Sequence, residues 1–176
     1  MSFDPQAPCT SDGQQPGAYP ELEAALPATF QGAQPVRRDS GRNCSDAALG
    51  TLVDHGIEEL RFAGALWETA RRSGTTVAIF RAPGLSADRL AEFYEAGARS
   101  ARKTVNVTMR PMKIEGVEGH RIDTLNDESY QTIVVLGSLE PDTVHAALIA
   151  SDVREIGTME AHDAVVKQAA GLLVNP

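Results

Sequence analysis

The chain has 176 residues, of which 42% are hydrophobic and 23% charged, and its 16 Lys and Arg against 24 Asp and Glu give a net charge of −8. This length and composition exclude a disordered chain and predict one folded domain with a sizeable core. The acidic balance argues against nucleic acid or an anionic membrane surface as partner, because both are bound through fields of Lys and Arg. No apolar run approaches the roughly 18 residues that a membrane-spanning helix needs.

Residues 1–18 are rich in Pro, Gln and Gly, which is the composition of a flexible linker. They lack the basic start and the apolar centre of a signal peptide. We therefore expect a linker over 1–18 and a single domain over 19–176. A linker at this position also predicts that an export signal or a membrane tether lies upstream of it in the native protein.

Three short elements are predicted at the start of the domain. Two prolines bound a helix over 20–27, because proline suits the first turn of a helix and interrupts later turns. A short strand is predicted over 34–39. Ser45 is a favourable N-cap, and the apolar residues that follow it predict a helix that ends at Gly56.

A hairpin and a longer helix follow. Residues 57–72 fit both the strand period and the helix period, and Gly64, which is unfavourable inside a helix, favours the strand. This strand would pair with the β-branched run 75–81. Ser86 then caps a helix whose apolar stripe predicts that it packs on a sheet. The stripe consists of Leu90, Phe93, Tyr94 and Ala98.

The second half is rich in strands joined by turns too short for parallel crossovers, which predicts an antiparallel meander. Its strands are expected at 105–109, 112–115, 120–125, 130–137 and 143–150. A last helix is predicted over 159–173, with an apolar face formed by Ala161, Ala164, Val165, Gln168, Ala169 and Leu172. The whole pattern predicts an α+β fold, a mostly antiparallel sheet of about five to six strands in a meander with helices packed on one face.

The two cysteines, Cys9 and Cys44, lie in turn-like surroundings. A disulfide between them is favoured over two free thiols, and it would stabilise the fold by roughly 3 to 4 kcal/mol in the chain-entropy model. Such a bond indicates an oxidising, extracytoplasmic compartment. Zinc is not predicted, because the paired C-x-x-C spacing is absent.

Polar residues concentrate in two stretches, a predicted turn at 123–131 and a strand-to-helix junction at 151–158. The turn could hold a divalent cation or supply acid and base groups, or its side chains could simply satisfy nearby backbone groups in solvent. At the junction, Arg154 could bind an anionic group oriented by Asp152, or pair with a carboxylate of the chain. The candidate ligand patch consists of Asp123, Asn126, Asp127, Glu128, Tyr130, Asp152 and Arg154.

Common catalytic and cofactor motifs are absent from the sequence, including the nucleophile elbow, the P-loop and the dinucleotide-binding fingerprint. The four histidines are far apart in sequence, which favours structural roles over a shared metal ion. They are His55, His120, His145 and His162. We therefore assign no catalytic residue, cofactor or metal ligand. A divalent cation bound at the polar turn stays a possible alternative.

Four stretches resemble those of uncharacterised bacterial exported or lipoprotein-like domains. They are residues 19–27, 43–46, 126–131 and 150–157. The resemblance implies an extracytoplasmic location and supplies no catalytic residue. We expect a secreted or surface-tethered, non-enzymatic domain that binds a small molecule or a protein partner. The alternative is a hydrolase-type enzyme that uses the carboxylates of Asp123, Asp127 and Glu128, with or without a divalent cation.

Overall fold

Eight antiparallel strands form one sheet in the computed structural model of the chain, which describes residues 3–176. The strands are β1 Gly13–Gln15, β2 Arg37–Asn43, β3 Leu60–Ala70, β4 Ser73–Arg81, β5 Thr104–Ile114, β6 Val117–Asn126, β7 Ser129–Leu136 and β8 Thr143–Asp152. Their order across the sheet is β1-β2-β3-β4-β8-β7-β6-β5. Two meanders, β1 to β4 and β5 to β8, therefore meet where β4 pairs with β8.

Five helices connect or follow these strands. They are α1 Pro20–Ala24, α2 Asp46–Leu49, α3 Ala87–Ser100, α4 Val153–Ile156 and α5 Met159–Val174, and a 3₁₀ segment, Gly50–His55, continues α2. The predicted N-cap Ser86 begins α3 by accepting a hydrogen bond from the backbone N–H of Arg89 at 3.3 Å. In the described range 3–176, no helix is both long enough and apolar enough to cross a membrane.

Each face of the sheet has its own hydrophobic core, because successive side chains of a strand point to opposite faces. On β4, Val77 and Ile79 belong to the core beneath α1 and α5, and Ala78 and Phe80 belong to the core beneath α3. We call these two sides the α5 face and the α3 face. The central strands are thus buried on both faces, which explains why they read as continuous apolar runs rather than as alternating patterns.

The predicted α+β fold class, with five to six strands and helices on one face, is wrong. Strands hold 41% of the residues and helices 28%, so the fold is mostly β, with eight strands in one antiparallel sheet. Helices cover both faces, because the central strands expose apolar side chains on each. The predicted strands 105–109 and 112–115 are one strand, β5, which runs through Pro111. Proline is tolerated there because β5 is an edge strand.

Residues 3–12, which we call the N-terminal strap, and strand β1 lie in the range for which the sequence predicts a linker. Gly13–Gln15 pairs with β2. Arg42, on β2, is 2% exposed, and its guanidinium donates to the backbone oxygens of Ala7 at 2.6 Å and Pro8 at 3.1 Å. These contacts attach the strap to the edge of the sheet.

The predicted disulfide between Cys9 and Cys44 is confirmed. Beside it, the carboxylate of Asp12 accepts hydrogen bonds from the backbone N–H groups of Cys44 at 2.6 Å and Ser45 at 2.8 Å. The side chain of Ser45 and these backbone groups lower the pKa of Asp12, because they stabilise its charged form. A covalent bond and a charged hydrogen-bond acceptor therefore hold the start of α2.

Replacing both cysteines (Cys9→Ser with Cys44→Ser) should lower the free energy of unfolding by about 4 kcal/mol in the chain-entropy model. The reason is that the bond joins residues 35 apart, so its loss frees a long loop in the unfolded chain. Urea unfolding followed by the fluorescence of the buried Trp67 measures the change. Wild-type protein under reductant is the matching control, and an unchanged unfolding midpoint in both would contradict the prediction.

Candidate functional site

A pocket of about 570 Å³ lies on the α3 face, between α3, the segment formed by α2 and the 3₁₀ turn, and strands β6 to β8. We call it the α3 pocket. Phe93 and Tyr94 of α3, Ile133 of β7 and Leu148 of β8 supply its large apolar side chains. Every lining residue in the described part of the chain is uncharged. The pocket is therefore mostly apolar and electrically neutral.

Gly50 lies where the α2 segment packs against Phe93 of α3. Its φ is 51°, and a Cβ atom at this position would lie 3.3 Å from the ring of Phe93. Both the backbone conformation and the tight contact favour glycine. On the other side of the same segment, the strap residue Asp12 and the N-cap Ser45 hold α2 in place. The N-terminal strap thus positions one wall of the pocket.

A row of aromatic rings supports the opposite wall. The ring centroids of Phe62 and Phe80 lie 6.3 Å apart, those of Phe80 and Tyr94 lie 6.2 Å apart, and those of Tyr94 and Phe93 lie 5.3 Å apart. These separations are in the range of favourable aromatic pairs. Burial raises the pKa of Tyr94 above its ordinary value of 10.0, so its hydroxyl stays protonated at neutral pH. The row therefore adds no charge to the pocket.

Two buried hydroxyls of this pocket have no hydrogen-bond partner among residues 3–176. They belong to Thr124 of β6, which is 8% exposed, and to Thr51 of the 3₁₀ segment. Leaving a buried hydroxyl unpaired costs about 1 to 3 kcal/mol, so such groups normally find a partner. A few polar groups in a mostly apolar pocket are also typical of small-molecule sites, where they orient the ligand.

The structure brings the two predicted polar stretches together. The β6–β7 turn lies beside the end of β8, because Ser129 pairs with Asp152. Arg154 donates to the carboxylate of Glu128, and Asp152 caps α4 by accepting from the backbone N–H of Arg154 at 2.9 Å. Asp127 forms an ion pair with Lys103 at 3.3 Å. The charged side chains of this cluster are thus occupied by contacts within the chain.

A second pocket, of about 720 Å³, borders this turn and is strongly polar. Its lining includes Arg72, Asn126, Asp127, Glu128, Ser129 and Asp152. Asn126 also lines the α3 pocket, so it lies between the two. Across residues 3–176, no three His, Cys, Asp or Glu side chains are placed to share a metal ion. The divalent cation considered from the sequence stays a prediction.

Asp123 and Tyr130 lie apart from this cluster, on the α5 face. The carboxylate of Asp123 accepts from the side chains of Arg121 at 2.9 Å and Thr132 at 2.7 Å, and the ring of Tyr130 lies 5.7 Å from that of His162. Strand residues 124–126 also lie between Asp123 and Asp127, which is in the β6–β7 turn. The three carboxylates of the hydrolase alternative therefore do not converge.

The four histidines have separate partners rather than a common site within the described chain. His55 contacts Glu92 at 2.8 Å, His120 contacts Asp88 at 2.6 Å, and His145 donates to the backbone oxygen of Leu173 at 3.1 Å. His162, on α5, is fully buried against the sheet.

A hydrogen-bonded chain on the α5 face fixes the tautomer of His162. Thr132 donates to the carboxylate of Asp123, which can only accept, so the Thr132 oxygen accepts from Nε2 of His162 at 2.8 Å. Nδ1 of the neutral ring must then accept from the hydroxyl of Ser151, also at 2.8 Å. Every polar atom of the imidazole is satisfied, which explains how it can be buried.

Stability should fall as the pH drops below about 6.5, in part because of His162. Burial lowers the pKa of His162 from its ordinary value of 6.5, so below that pH the unfolded chain binds the proton more readily than the folded one. His162→Gln removes this titration but keeps a neutral polar group. The free energy of unfolding should be larger for wild type than for His162→Gln at pH 8. This difference should become smaller as the pH falls to 5.

Urea unfolding of both proteins at several pH values measures this gap. His145, whose pKa burial also lowers, is present in both proteins and cancels in the comparison. A gap that stays constant from pH 8 to pH 5 would show that His162 does not titrate differently in the folded state.

The sequence did not point to the α3 pocket. Phe93 and Tyr94 were expected only to pack on a sheet, and Thr124 and Thr51 are polar residues of a kind common on strands and short helical turns. No pattern in the sequence marks a threonine whose hydroxyl will be buried without a partner.

Comparison of the chain with protein-family models, with curated proteins and with solved structures gives no match. The function is therefore argued from the geometry of the α3 pocket.

Proposed function

We propose that this chain is a non-enzymatic domain that binds a small molecule in the α3 pocket. The observation that carries the proposal is the hydroxyl of Thr124, buried without a partner from the described chain in a pocket of about 570 Å³. Known small-molecule sites occupy roughly 300 to 1,000 Å³ and combine apolar walls with few polar groups. The hydroxyl oxygen of Thr124 is enclosed by the protein, so a χ1 rotation would turn it toward the pocket, where a bound molecule would supply the missing hydrogen bond and cover the apolar side chains.

The proposal includes an oxidising, extracytoplasmic compartment. A disulfide between Cys9 and Cys44 supports it, because such bonds persist outside the reducing cytosol. The same bond helps to hold α2, which forms one wall of the pocket. A secreted or surface-tethered domain is consistent with this disulfide.

The hydrolase alternative has less geometric support. Acid–base chemistry requires groups that meet at one substrate, whereas Asp123 lies on the α5 face and Asp127 and Glu128 lie on the β6–β7 turn. Each of the three carboxylates also interacts with a basic side chain of the chain itself.

Gly97→Leu should weaken the binding of a neutral apolar dye, 1,6-diphenylhexatriene, at least tenfold. Gly97 lines the pocket on α3, and a Cβ atom added there meets no described atom within 4 Å. Leucine can therefore extend into the pocket without disturbing the backbone, and it favours helix more than glycine does. Fluorescence titration measures the affinity, and thermal unfolding shows that the fold is retained.

Gly171→Leu is the matched control. Gly171 is also a helical glycine with open space around an added Cβ, but it lies on α5 and does not line the α3 pocket. This variant should bind the dye as wild type does. Equal binding by both variants, or no binding by wild type, would refute the proposed site.

A further inference from the structure

We infer that the ligand of the α3 pocket is an uncharged amphiphile, with an apolar chain or ring system and one neutral head group that forms hydrogen bonds. This inference rests on the proposed function and adds the chemical class of the ligand. Three features of the pocket support it, namely its lack of charge, its partly buried apolar side chains and the unpaired hydroxyl of Thr124.

The lack of charge selects against ionic head groups. No described side chain that lines the pocket carries a charge. A carboxylate or ammonium group that enters an apolar site loses its hydration, and here no lining group of opposite charge compensates that loss. The pocket beside the β6–β7 turn differs in this respect, because it contains Arg72 and three carboxylates. Neutrality is thus a specific property of the α3 pocket.

The apolar part of the ligand would complete a core that the chain leaves partly open. Phe93, Tyr94, Ile133 and Leu148 pack against the buried cluster of the α3 face but are only partly buried themselves. All four line the pocket. Contact with an apolar molecule would remove their remaining surface from water, which is favourable in proportion to the area covered.

The head group would meet the hydroxyl of Thr124, on the sheet, after a χ1 rotation that turns this enclosed oxygen into the pocket. A hydroxyl can both donate and accept, so it suits a head group that does the same, such as an alcohol or a glycerol ester. The amide side chains of Gln131 and Asn126 line the same pocket and offer further neutral donors and acceptors.

A series of three molecules with the same ten-carbon chain tests the charge preference. 1-Decanol, decanoate and decylammonium displace diphenylhexatriene from oxidised wild-type protein at pH 7.4, each below the concentration at which it aggregates. Decanol should displace the dye at a concentration at least tenfold lower than either ion. Displacement by decanoate or decylammonium at an equal or lower concentration would overturn the inference.

Thr124→Val tests the head-group contact, because valine keeps the shape of threonine and removes the hydroxyl. Decanol should bind about fivefold more weakly to this variant, whereas the hydrocarbon dye, which has no head group and meets a more apolar wall, should bind at least as tightly as it does to wild type. Thr75→Val is the matched control. Thr75 is 1% exposed and its hydroxyl also lacks a partner among the described residues, but it does not line the α3 pocket.

The results separate this inference from the proposed function. Dye binding that Gly97→Leu abolishes, together with decanol binding that Thr124→Val leaves unchanged, would overturn the ligand class and leave the binding site in place. Absence of dye binding in wild type, or its persistence in Gly97→Leu, would overturn both. A loss of decanol affinity in Thr75→Val equal to that in Thr124→Val would also count against the head-group contact.

Discussion

The pairing of β4 with β8 is the constraint on which the rest of the structure depends. It joins the two meanders along eight residue pairs, from Gly74 with Ala150 to Arg81 with Thr143. Because β5 lies at the far edge of the sheet, the chain that leaves β4 must cross β8, β7 and β6 to reach it. Helix α3 makes this crossing and packs against β5 to β8. The α3 pocket is the space left between this crossing helix, the sheet and the α2 segment.

Buried polar groups of the sheet differ in whether they have partners. On the α5 face, His162, Thr132, Ser151 and Asp123 form a continuous hydrogen-bonded chain. Thr75, on the same face, and Thr124, on the α3 face, each bury a hydroxyl that meets no donor or acceptor of the described chain. Of these two threonines, Thr124 lines the α3 pocket and Thr75 does not. It is therefore the apolar, uncharged pocket around Thr124, and not the unpaired hydroxyl alone, that places the binding site beneath α3.

Local features were predictable from the sequence because they depend on neighbouring residues. Ser86 begins α3 as predicted, because an N-cap side chain accepts a hydrogen bond from within the first turn of the helix. The hairpin of β3 and β4 was indicated by the turn-forming residues 72–74 and the β-branched run after them, although the turn itself lies at residues 71–72. The disulfide followed from two cysteines in turn-like surroundings. The candidate patch stays a prediction, and two of its residues, Asp123 and Tyr130, lie on the α5 face, apart from the β6–β7 turn.

The sequence by itself therefore determined three features. The N-cap of α3 and the hairpin of β3 and β4 depend on residues a few positions apart, and the disulfide joins the only two cysteines of the sequence. Only the tertiary structure decided which faces are covered. Ala169 of the expected apolar face of α5 is buried, but Ala164 is exposed, and α5 also buries His162 and Val166, which the sequence did not predict. A histidine is buried here because Thr132 and Ser151, distant in sequence, satisfy both of its nitrogens. The hydroxyl of Thr124 is buried without a partner from the described chain, which the sequence likewise did not show. The physical reason is that burial and hydrogen bonding depend on residues that only the fold brings together.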